Sequence, residues 1–267
     1  MDLELAGKRA LITGSSSGIG AGVARMLAAE GCIVVVHGRD RARAEEVAHA
    51  MGAASVAIGD LATDEGADLV VEVVRGNVGG IDILVNNAGG AAGTSALSWL
   101  DVDEAGWQAT YQSNAVAAAR MIRRLVPGMI AQNFGRVIQI ASAAATQPIA
   151  FGPDYGAAKG AMLNLTVSLA KSLAGTGVTS NSISPGMVMT PAVERWLHGL
   201  AESQGWNARD LAAIEARVTR ELTPIPVGRV GRPEDIGFAV CMLASPKSGY
   251  ITGANIRVDG GQVQSVN

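Results

Sequence analysis

Cysteine and histidine are scarce in this chain. Cys32 and Cys241 are the only thiols among 267 residues, and the three histidines are scattered along the sequence. Both cysteines lie within apolar runs, where a free thiol behaves as a small buried hydrophobic group. Two thiols without zinc-ligand spacing give neither a zinc finger nor a disulfide-rich scaffold. We therefore expect no disulfide framework and no bound metal.

Strong charge of one sign and long apolar runs are also missing. The formal net charge is −3, and no cluster of basic residues indicates a nucleic-acid or membrane partner. No apolar run approaches the ~18 residues of a membrane-spanning helix. Residues 1–9 lack the apolar core of a signal peptide. We expect a cytoplasmic protein that acts on small molecules.

The chain does contain a regular alternation of short β-branched runs and longer helical patterns. Hydrophobic residues make up 48% of it and charged residues 17%, which indicates a folded globular protein. Strands are predicted at 9–13, 33–37, 55–59, 81–86, 136–142 and within 253–261, and helices at 18–30, 41–51, 64–78, 107–130, from 155 onward and up to 244. This order predicts one α/β domain, residues 1–267, with a doubly wound parallel sheet covered by helices on both faces.

A glycine-rich turn, residues 13–20, directly follows the first predicted strand. Its glycines allow a tight turn and close approach of a pyrophosphate, and the next helix offers free N–H groups at its start. A surface turn is the alternative, but the position between strand and helix favours a dinucleotide site. The candidate contacts are Gly14, Ser16, Ser17, Gly18, Ile19 and Gly20.

Tyr155 and Lys159 form the candidate catalytic pair. Residues four apart lie on the same face of a helix, and a nearby cation favours the phenolate, so we expect a lowered pKa for Tyr155. Ser142 ends a predicted buried strand and brings a hydroxyl to its carboxyl end. A chance pair with a lysine that reaches water is the alternative for these two residues taken alone.

The order of these motifs resembles the short-chain dehydrogenase/reductase family over nearly the whole chain. Besides the residues above, residues 86–89, Asn114, Pro185 with Gly186, and Thr190 carry the resemblance. The pattern is closest to its 3-oxoacyl-acyl-carrier-protein reductases. The resemblance implies a Rossmann-like fold with about seven strands, NAD(P)-dependent interconversion of a ketone and a secondary alcohol, and Tyr155 as the general acid and base.

The resemblance also assigns roles to single residues. Asn114 would hold a water against Lys159, and Ser142 would bind the substrate oxygen with Tyr155. Asp60 would meet the adenine amino group, although an N-cap or turn aspartate is the alternative. The remaining implied cofactor contacts are Leu61, Asn87, which also braces the sheet, Ala88, Gly89, Pro185, Gly186, Val188, Thr190, Tyr155 and Lys159.

Residues 191–232 are predicted to form a substrate lid. Apolar residues recur at helical spacing after Asp210, and the segment is more apolar than a solvated loop needs. The predicted substrate pocket contains Ser142, Ala144, Met187, Trp196 and Leu197. A lipophilic substrate, such as a 3-oxoacyl thioester, fits this interpretation, with sugar, polyol or hydroxysteroid dehydrogenases as alternatives. A non-catalytic dinucleotide sensor and a lyase or epimerase of the extended relatives are alternatives of other classes.

Two neighbouring residues give opposite indications of the cofactor. Asp40 lies near the offset where an acid binds the ribose 2′-hydroxyl of NAD. The second strand is predicted to end at His37, so Gly38 stands where NAD-preferring relatives carry an acid. Arg39 follows, and a guanidinium suits the 2′-phosphate of NADP. With Asp40 as a helix N-cap, NADP(H) is favoured over NAD(H).

We also expect the chain to assemble into oligomers. The predicted helices that begin near Trp107 and Tyr155 carry small residues. Members of the resembled family pair subunits through these helices, which implies a homotetramer or at least a dimer. Packing of the alanines on the sheet alone is the alternative.

Overall fold

The computed structural model describes residues 1–53, 55–91, 93 and 97–265. Its strands are β1 (Arg9–Ile12), β2 (Ile33–Gly38), β3 (Ser55–Ile58), β4 (Ile83–Asn86), β5 (Gly135–Ile140), β6 (Val178–Pro185) and β7 (Asn255–Val258). Its helices are α1 (Gly18–Ala29), α2 (Arg41–Met51), α3 (Asp64–Val78), α4 (Glu104–Tyr111), α5 (Ala117–Ala131), α6 (Pro153–Ser172), α7 (Pro191–Ser203), α8 (Leu211–Arg217) and α9 (Pro233–Ala244).

The seven strands form one parallel sheet in the order β3-β2-β1-β4-β5-β6-β7. The chain runs outward from β1 to β3 and then returns to β4 on the other side of β1. Strand order therefore reverses between β1 and β4, and a crevice opens there at the carboxyl ends of the strands. The predicted doubly wound sheet in a single domain is confirmed.

Alternating strand residues explain why helices cover both faces. Ala10 and Ile12 of β1 pack into a core with α1, α2 and α9, whereas Leu11 packs into a core with α3 and α5. Successive side chains of a strand point to opposite faces, so strands buried on both sides are apolar throughout. No helix in the described residues is long and apolar enough to cross a membrane.

The helix predicted at 107–130 is interrupted. It comprises α4 and α5, joined by a π-helical turn at Gln112–Val116. Thr110 in α4 donates a hydrogen bond to Asp154 of α6, and Arg124 in α5 pairs with Asp64 and Asp68 of α3 at 3.0 and 2.6 Å. The two parts of the helix therefore contact different neighbours.

Residues 191–232 have a small core of their own. Leu197 and Ala201 of α7 pack with Ile214 of α8 and Val218 of the π-helical turn that follows it. An ion pair at 2.8 Å joins Glu215 to Arg232, and Glu215 also accepts a hydrogen bond from the Val230 N–H at 2.8 Å. These contacts fix α8 to the chain that enters α9.

Candidate active site

A continuous groove lies at the carboxyl edge of the sheet. It consists of a first cavity of about 350 Å³, which reaches Arg39 and Asp60, and a second cavity of about 640 Å³, which reaches Ser142, Tyr155 and Lys159. The two cavities share Gly14, Ser16, Ser17, Asn87, Gly89 and Gly90. Since these shared residues follow β1 and β4, the groove crosses the point where strand order reverses.

Bare backbone forms the floor of this groove. Gly14 has a φ of +66°, and a Cβ there would lie 3.0 Å from the Cα of Ala88. At Gly89, with a φ of +145°, a Cβ would overlap the Oδ1 of Asn114. Ser17 precedes α1 without a side-chain cap, so the N–H groups of the first turn remain available to an anion. This narrow cradle beside a helix N-terminus fits a dinucleotide.

Two asparagines fix the loop of residues 87–90. The amide of Asn87 donates to the Thr13 and Gly14 carbonyls at 2.9 and 3.2 Å, which bears out its predicted role in bracing the sheet. Asn114 lies fully buried in the π-helical turn. Its amide donates to the Gly90 carbonyl at 2.8 Å and accepts from the Gly90 N–H at 3.1 Å. The helix irregularity therefore places a side chain where it holds the loop by both backbone groups.

Ser142, Tyr155 and Lys159 converge at the far end of the groove. Ser142 follows β5, and its Oγ accepts from the Ala144 N–H at 3.2 Å. Lys159 is 3% exposed, and its Nζ donates to the Ile140 carbonyl at 2.8 Å. Nζ lies 5.7 Å from the centre of the Tyr155 ring. A hydroxyl, a phenol and an ammonium thus share one pocket.

The pKa values at this end differ from the sequence-based expectation. Burial raises the pKa of Tyr155, and its hydrogen bond with Ser142 offsets part of that rise. Burial also lowers the pKa of Lys159 to about 8. The expected lowering of the Tyr155 pKa by the lysine is therefore wrong, because loss of hydration dominates and the contribution that opposes it is the hydrogen bond with Ser142. The protonated phenol is the dominant form near neutral pH.

His37 was missed as a site residue. It is buried at the end of β2, where its Nδ1 accepts from the Gly14 N–H at 2.8 Å and its Nε2 lies 3.1 Å from the Gly59 carbonyl. These partners require a neutral ring with its proton on Nε2. Burial lowers its pKa to about 4.

Among the described residues no three His, Cys, Asp or Glu side chains converge as metal ligands.

His37 should therefore make stability depend on acid. Between pH 6.5 and about 4 the unfolded chain binds a proton that the folded chain does not, so stability falls as the pH falls through this window. The loss should reach about 3 kcal/mol at about 1.4 kcal/mol per unit. In His37→Gln this component should be absent, whereas His49→Gln, at an exposed position of α2, should keep it. Denaturant unfolding at several pH values measures it, and parallel pH curves for all three proteins would contradict it.

The structure places most predicted cofactor contacts along the groove. Asp60 lines it and also accepts from the Ala62 N–H at 3.0 Å, so it serves as a turn aspartate as well. Val188 is instead buried, and it pairs with Gly231 through the main chain. The predicted residues that line the groove are Gly14, Ser16, Ser17, Gly18, Ile19, Arg39, Asp60, Leu61, Asn87, Ala88, Gly89, Tyr155, Lys159, Pro185, Gly186 and Thr190.

The end of β2 lies one residue later than predicted. The strand includes Gly38, so the position just beyond it is Arg39, and neither position carries an acid. Asp40 caps α2, as predicted, by accepting from the Arg43 N–H at 3.2 Å. Arg39 lines the first cavity, whereas Asp40 lines neither cavity.

The predicted substrate residues do not all meet. Leu197 is fully buried in the core of segment 191–232, Met187 packs against that core, and Trp196 is half exposed. Leu197 thus stabilises the segment itself, because the apolar stripe of α7 faces inward. Ser142 lines the groove, and Ala144 lines a third cavity of about 490 Å³ that also touches Tyr155. The third cavity is lined mainly by apolar and small residues, among them Trp99, Trp107, Pro148, Ile149 and Phe151.

Two arginines of the second cavity were also missed. Arg43 lies in the first turn of α2, and Arg195 lies in α7. The sequence did give a signal for Arg43, because it stands three residues after the N-cap Asp40. That position is in the first turn of α2, which begins at the carboxyl edge of the sheet. No sequence signal marked Arg195.

Known proteins resemble the chain over its whole length. A family profile described as enoyl-(acyl carrier protein) reductase matches residues 14–262. The oxidoreductase YvaG of Bacillus subtilis is 36% identical over 100% of both chains. The 3-oxoacyl-acyl-carrier-protein reductase FabG of Vibrio cholerae is 31% identical over 97% of this chain and 98% of its own. The structure of L-sorbose reductase from Gluconobacter frateurii, complexed with NADPH and L-sorbose, matches with a TM-score of 0.92 at 35% identity over 100% of both chains.

Proposed function

Because the chain belongs to the short-chain dehydrogenase/reductase family of NAD(P)-dependent oxidoreductases, we propose that it reduces a ketone of 3-oxoacyl type to a secondary alcohol with NADPH. The observation that carries this proposal is the meeting of Ser142, Tyr155 and buried Lys159 at one end of a dinucleotide-sized groove. A sensor that only bound the dinucleotide would not need a phenol, a hydroxyl and a buried ammonium together.

Each residue of this end has a distinct task. Ser142 and Tyr155 bind the substrate oxygen, and the phenol, held protonated by its burial, gives that oxygen a proton. Lys159 places a positive charge behind the phenol and assists its deprotonation. Asn114 holds the loop of residues 87–90 beside them. The nicotinamide supplies the hydride when it is bound.

Arg39 supports the choice of NADP(H). It lines the groove with 79% of its side chain exposed, and a guanidinium binds a phosphate through parallel hydrogen bonds. Asp60, 4.0 Å away, is its ion-pair partner, and at that distance and exposure the pair is weak. A 2′-phosphate can therefore compete for the guanidinium.

Turnover with each coenzyme tests the proposal. Purified protein should oxidise NADPH in the presence of an acetoacetyl thioester, with a higher kcat/KM than for NADH. Arg39→Ala should lower kcat/KM for NADPH about ten- to a hundredfold, the value of a charge-assisted hydrogen bond, and leave NADH unchanged. A preference for NADH would favour Asp40 as the ribose ligand. Coenzyme binding without turnover of any carbonyl compound would favour the sensor.

The third cavity forms the apolar part of the substrate site. It adjoins Tyr155, and Trp99, Ile149 and Phe151 around it are each more than half exposed. Exposed apolar side chains clustered beside a catalytic group are typical of a ligand site. The acyl part of the substrate binds there, and segment 191–232 covers the groove from the opposite side as the lid.

Phe151→Ala should therefore raise KM for 3-oxoacyl thioesters with long chains by about tenfold, since one lost aromatic contact costs about 1–2 kcal/mol. KM for the acetoacetyl thioester should change much less. Trp196→Ala, which removes a half-exposed aromatic residue from the lid, is the matched control and should leave KM nearly unchanged. Equal effects of the two variants would place the acyl chain under the lid. Light scattering must give the same particle mass for each protein.

A polyhydroxylated ketone is the second candidate substrate. The resemblance to L-sorbose reductase favours it, and the second cavity offers polar groups that include Ser142 and Arg195. Ketoses therefore belong in the same assay. Turnover of a ketose without turnover of a 3-oxoacyl thioester would select this candidate.

The enzyme acts as a homotetramer or a dimer. Ala157 and Val167 of α6 are exposed, as are Phe238 of α9 and Tyr250 before β7. Apolar side chains on two separate surfaces suit the two kinds of contact that a symmetric tetramer needs. A particle mass equal to one chain, 27.2 kDa, at micromolar concentration would exclude assembly.

A further inference from the structure

The phenol of Tyr155 lies in the first turn of α6, which is the part of a helix that is held least by the helix itself. Tyr155 is the third residue of α6, and helix ends fray more readily than helix interiors. The N-cap is Gly152, with a φ of +59°, and it offers no side chain to the free N–H groups of this turn. A proton donor at such a position needs contacts with other parts of the fold to stay in place.

Asp154, the residue before the phenol, provides one of these contacts. Its side chain is fully buried and accepts a hydrogen bond from the Thr110 hydroxyl of α4 at 2.5 Å. Removing a carboxylate from water is unfavourable, and hydrogen bonds from buried neighbours offset that cost. An acid in the first turn also suits the positive end of the helix dipole. The buried Asp154 therefore fixes the turn that carries Tyr155 to α4.

Thr110 also contacts the coenzyme side of the groove through its main chain. Its carbonyl accepts from the Asn114 amide at 2.8 Å, and the same amide donates to the Gly90 carbonyl at 2.8 Å. Gly90 lines both cavities of the groove. Thr110, Asn114 and Asp154 are each 0% exposed. A buried series of hydrogen bonds therefore connects the loop of residues 87–90 with the residue beside Tyr155.

We infer that Thr110 and Asp154 are positioning residues, which hold the phenol of Tyr155 at a fixed place relative to the coenzyme loop. The inference rests on the proposed function. Reduction delivers a hydride to the carbonyl carbon and a proton to its oxygen, so the nicotinamide and the phenol must both reach one small group. A misplacement of about 1 Å can lower the rate about a hundredfold. Neither Thr110 nor Asp154 lines the groove, and they act only through Asn114 and Tyr155.

Thr110→Val tests the inference, because valine has the shape of threonine and lacks only the hydroxyl. It should lower kcat for reduction of an acetoacetyl thioester about ten- to a hundredfold. The Kd for NADPH, measured by fluorescence titration, should change less than about twofold. Thr110→Ser keeps the hydroxyl and should restore most of kcat. When Asp154→Ala is combined with Thr110→Val, kcat should fall no further than in Asp154→Ala alone, since both remove the same contact.

Thr166→Val is the matched control. Thr166 is 1% exposed and lies later in α6, where its hydroxyl donates to the Met162 carbonyl at 2.8 Å. The control thus makes the same substitution at the same degree of burial and also removes one buried hydrogen bond. It should lower Tm about as much as Thr110→Val does and leave kcat unchanged.

Three outcomes would overturn the inference. Unchanged kcat in Thr110→Val would show that the phenol keeps its place without the contact. Equal losses of kcat in Thr110→Val and Thr166→Val would assign Thr110 to stability alone. A rise in the Kd for NADPH as large as the fall in kcat would show that these residues hold the coenzyme loop and not the phenol. If the native protein reduces no carbonyl compound, the proposed function fails and the inference fails with it. If the native protein is active and one of the three outcomes is found, the inference fails alone.

Discussion

Tyr155→Phe should abolish turnover while the protein still folds and still binds NADPH. The substitution removes one hydroxyl from a phenol whose pKa burial has raised, so only the transferable proton and the hydrogen bond with Ser142 disappear. General acid catalysis contributes about 10²–10⁴-fold, and the loss of kcat should lie in or above that range. Steady-state assays with an acetoacetyl thioester and a titration with NADPH measure the two halves of this expectation.

Tyr250→Phe provides the control, because Tyr250 lines none of the three cavities and the substitution keeps the ring that the proposed subunit contact would use. It should leave kcat and KM unchanged. Near-native kcat in Tyr155→Phe would remove Tyr155 as the acid. Loss of coenzyme binding together with turnover would instead assign the phenol to the coenzyme site.

Lys159→Met should lose turnover and gain stability. The lysine is charged below pH 8 although it is almost fully buried, and burial lowers its pKa from 10.5 to about 8. This shift corresponds to roughly 3 kcal/mol of destabilisation at about 1.4 kcal/mol per unit. The unpaired Ile140 carbonyl left by methionine would return about 1 kcal/mol of that. A net gain of about 2 kcal/mol near neutral pH is expected, with a loss of kcat of about 10²-fold or more.

The pH dependence identifies the cause of this gain. Between pH 8 and 10.5 the unfolded chain binds a proton that the folded chain does not, so the native protein gains stability as the pH rises through this window. The advantage of Lys159→Met should therefore be complete below pH 8 and shrink above it. Lys171→Met, at an exposed position later in α6, should show neither effect. A lower Tm for Lys159→Met at neutral pH would show that the lysine stabilises the fold.

The sequence predicted the features that arise from contacts between residues close together along the chain. Alternating apolar runs located the strands, the residues between the first strand and helix located the coenzyme groove, and Asp40 was identified as an N-cap. These features depend on contacts within a few residues, which a sequence pattern contains. The same holds for Tyr155 and Lys159, which share one turn of α6.

Long-range contacts explain what the sequence did not predict. His37 acts through Gly14 and Gly59, each more than twenty residues away, so its single position after a valine run carried no signal. Leu197 belongs to an apolar stripe, and a stripe does not tell whether it faces a substrate or another helix. The pKa of Tyr155 depends on how deeply the ring is buried, which spacing along a helix does not determine.

The π-helical turn at Gln112–Val116 sets the rotation of α5 relative to α4 about the helix axis. It therefore sets the directions in which the side chains of the two helices point. Each residue of an α-helix advances the direction of its side chain by about 100°. Loss or gain of one residue in this turn would therefore rotate Arg124 away from Asp64 and Asp68, or rotate Thr110 away from Asp154. The contacts on both sides of the turn therefore fix its length to the single residue. Insertions and deletions here should therefore break contacts on one side of the turn or the other.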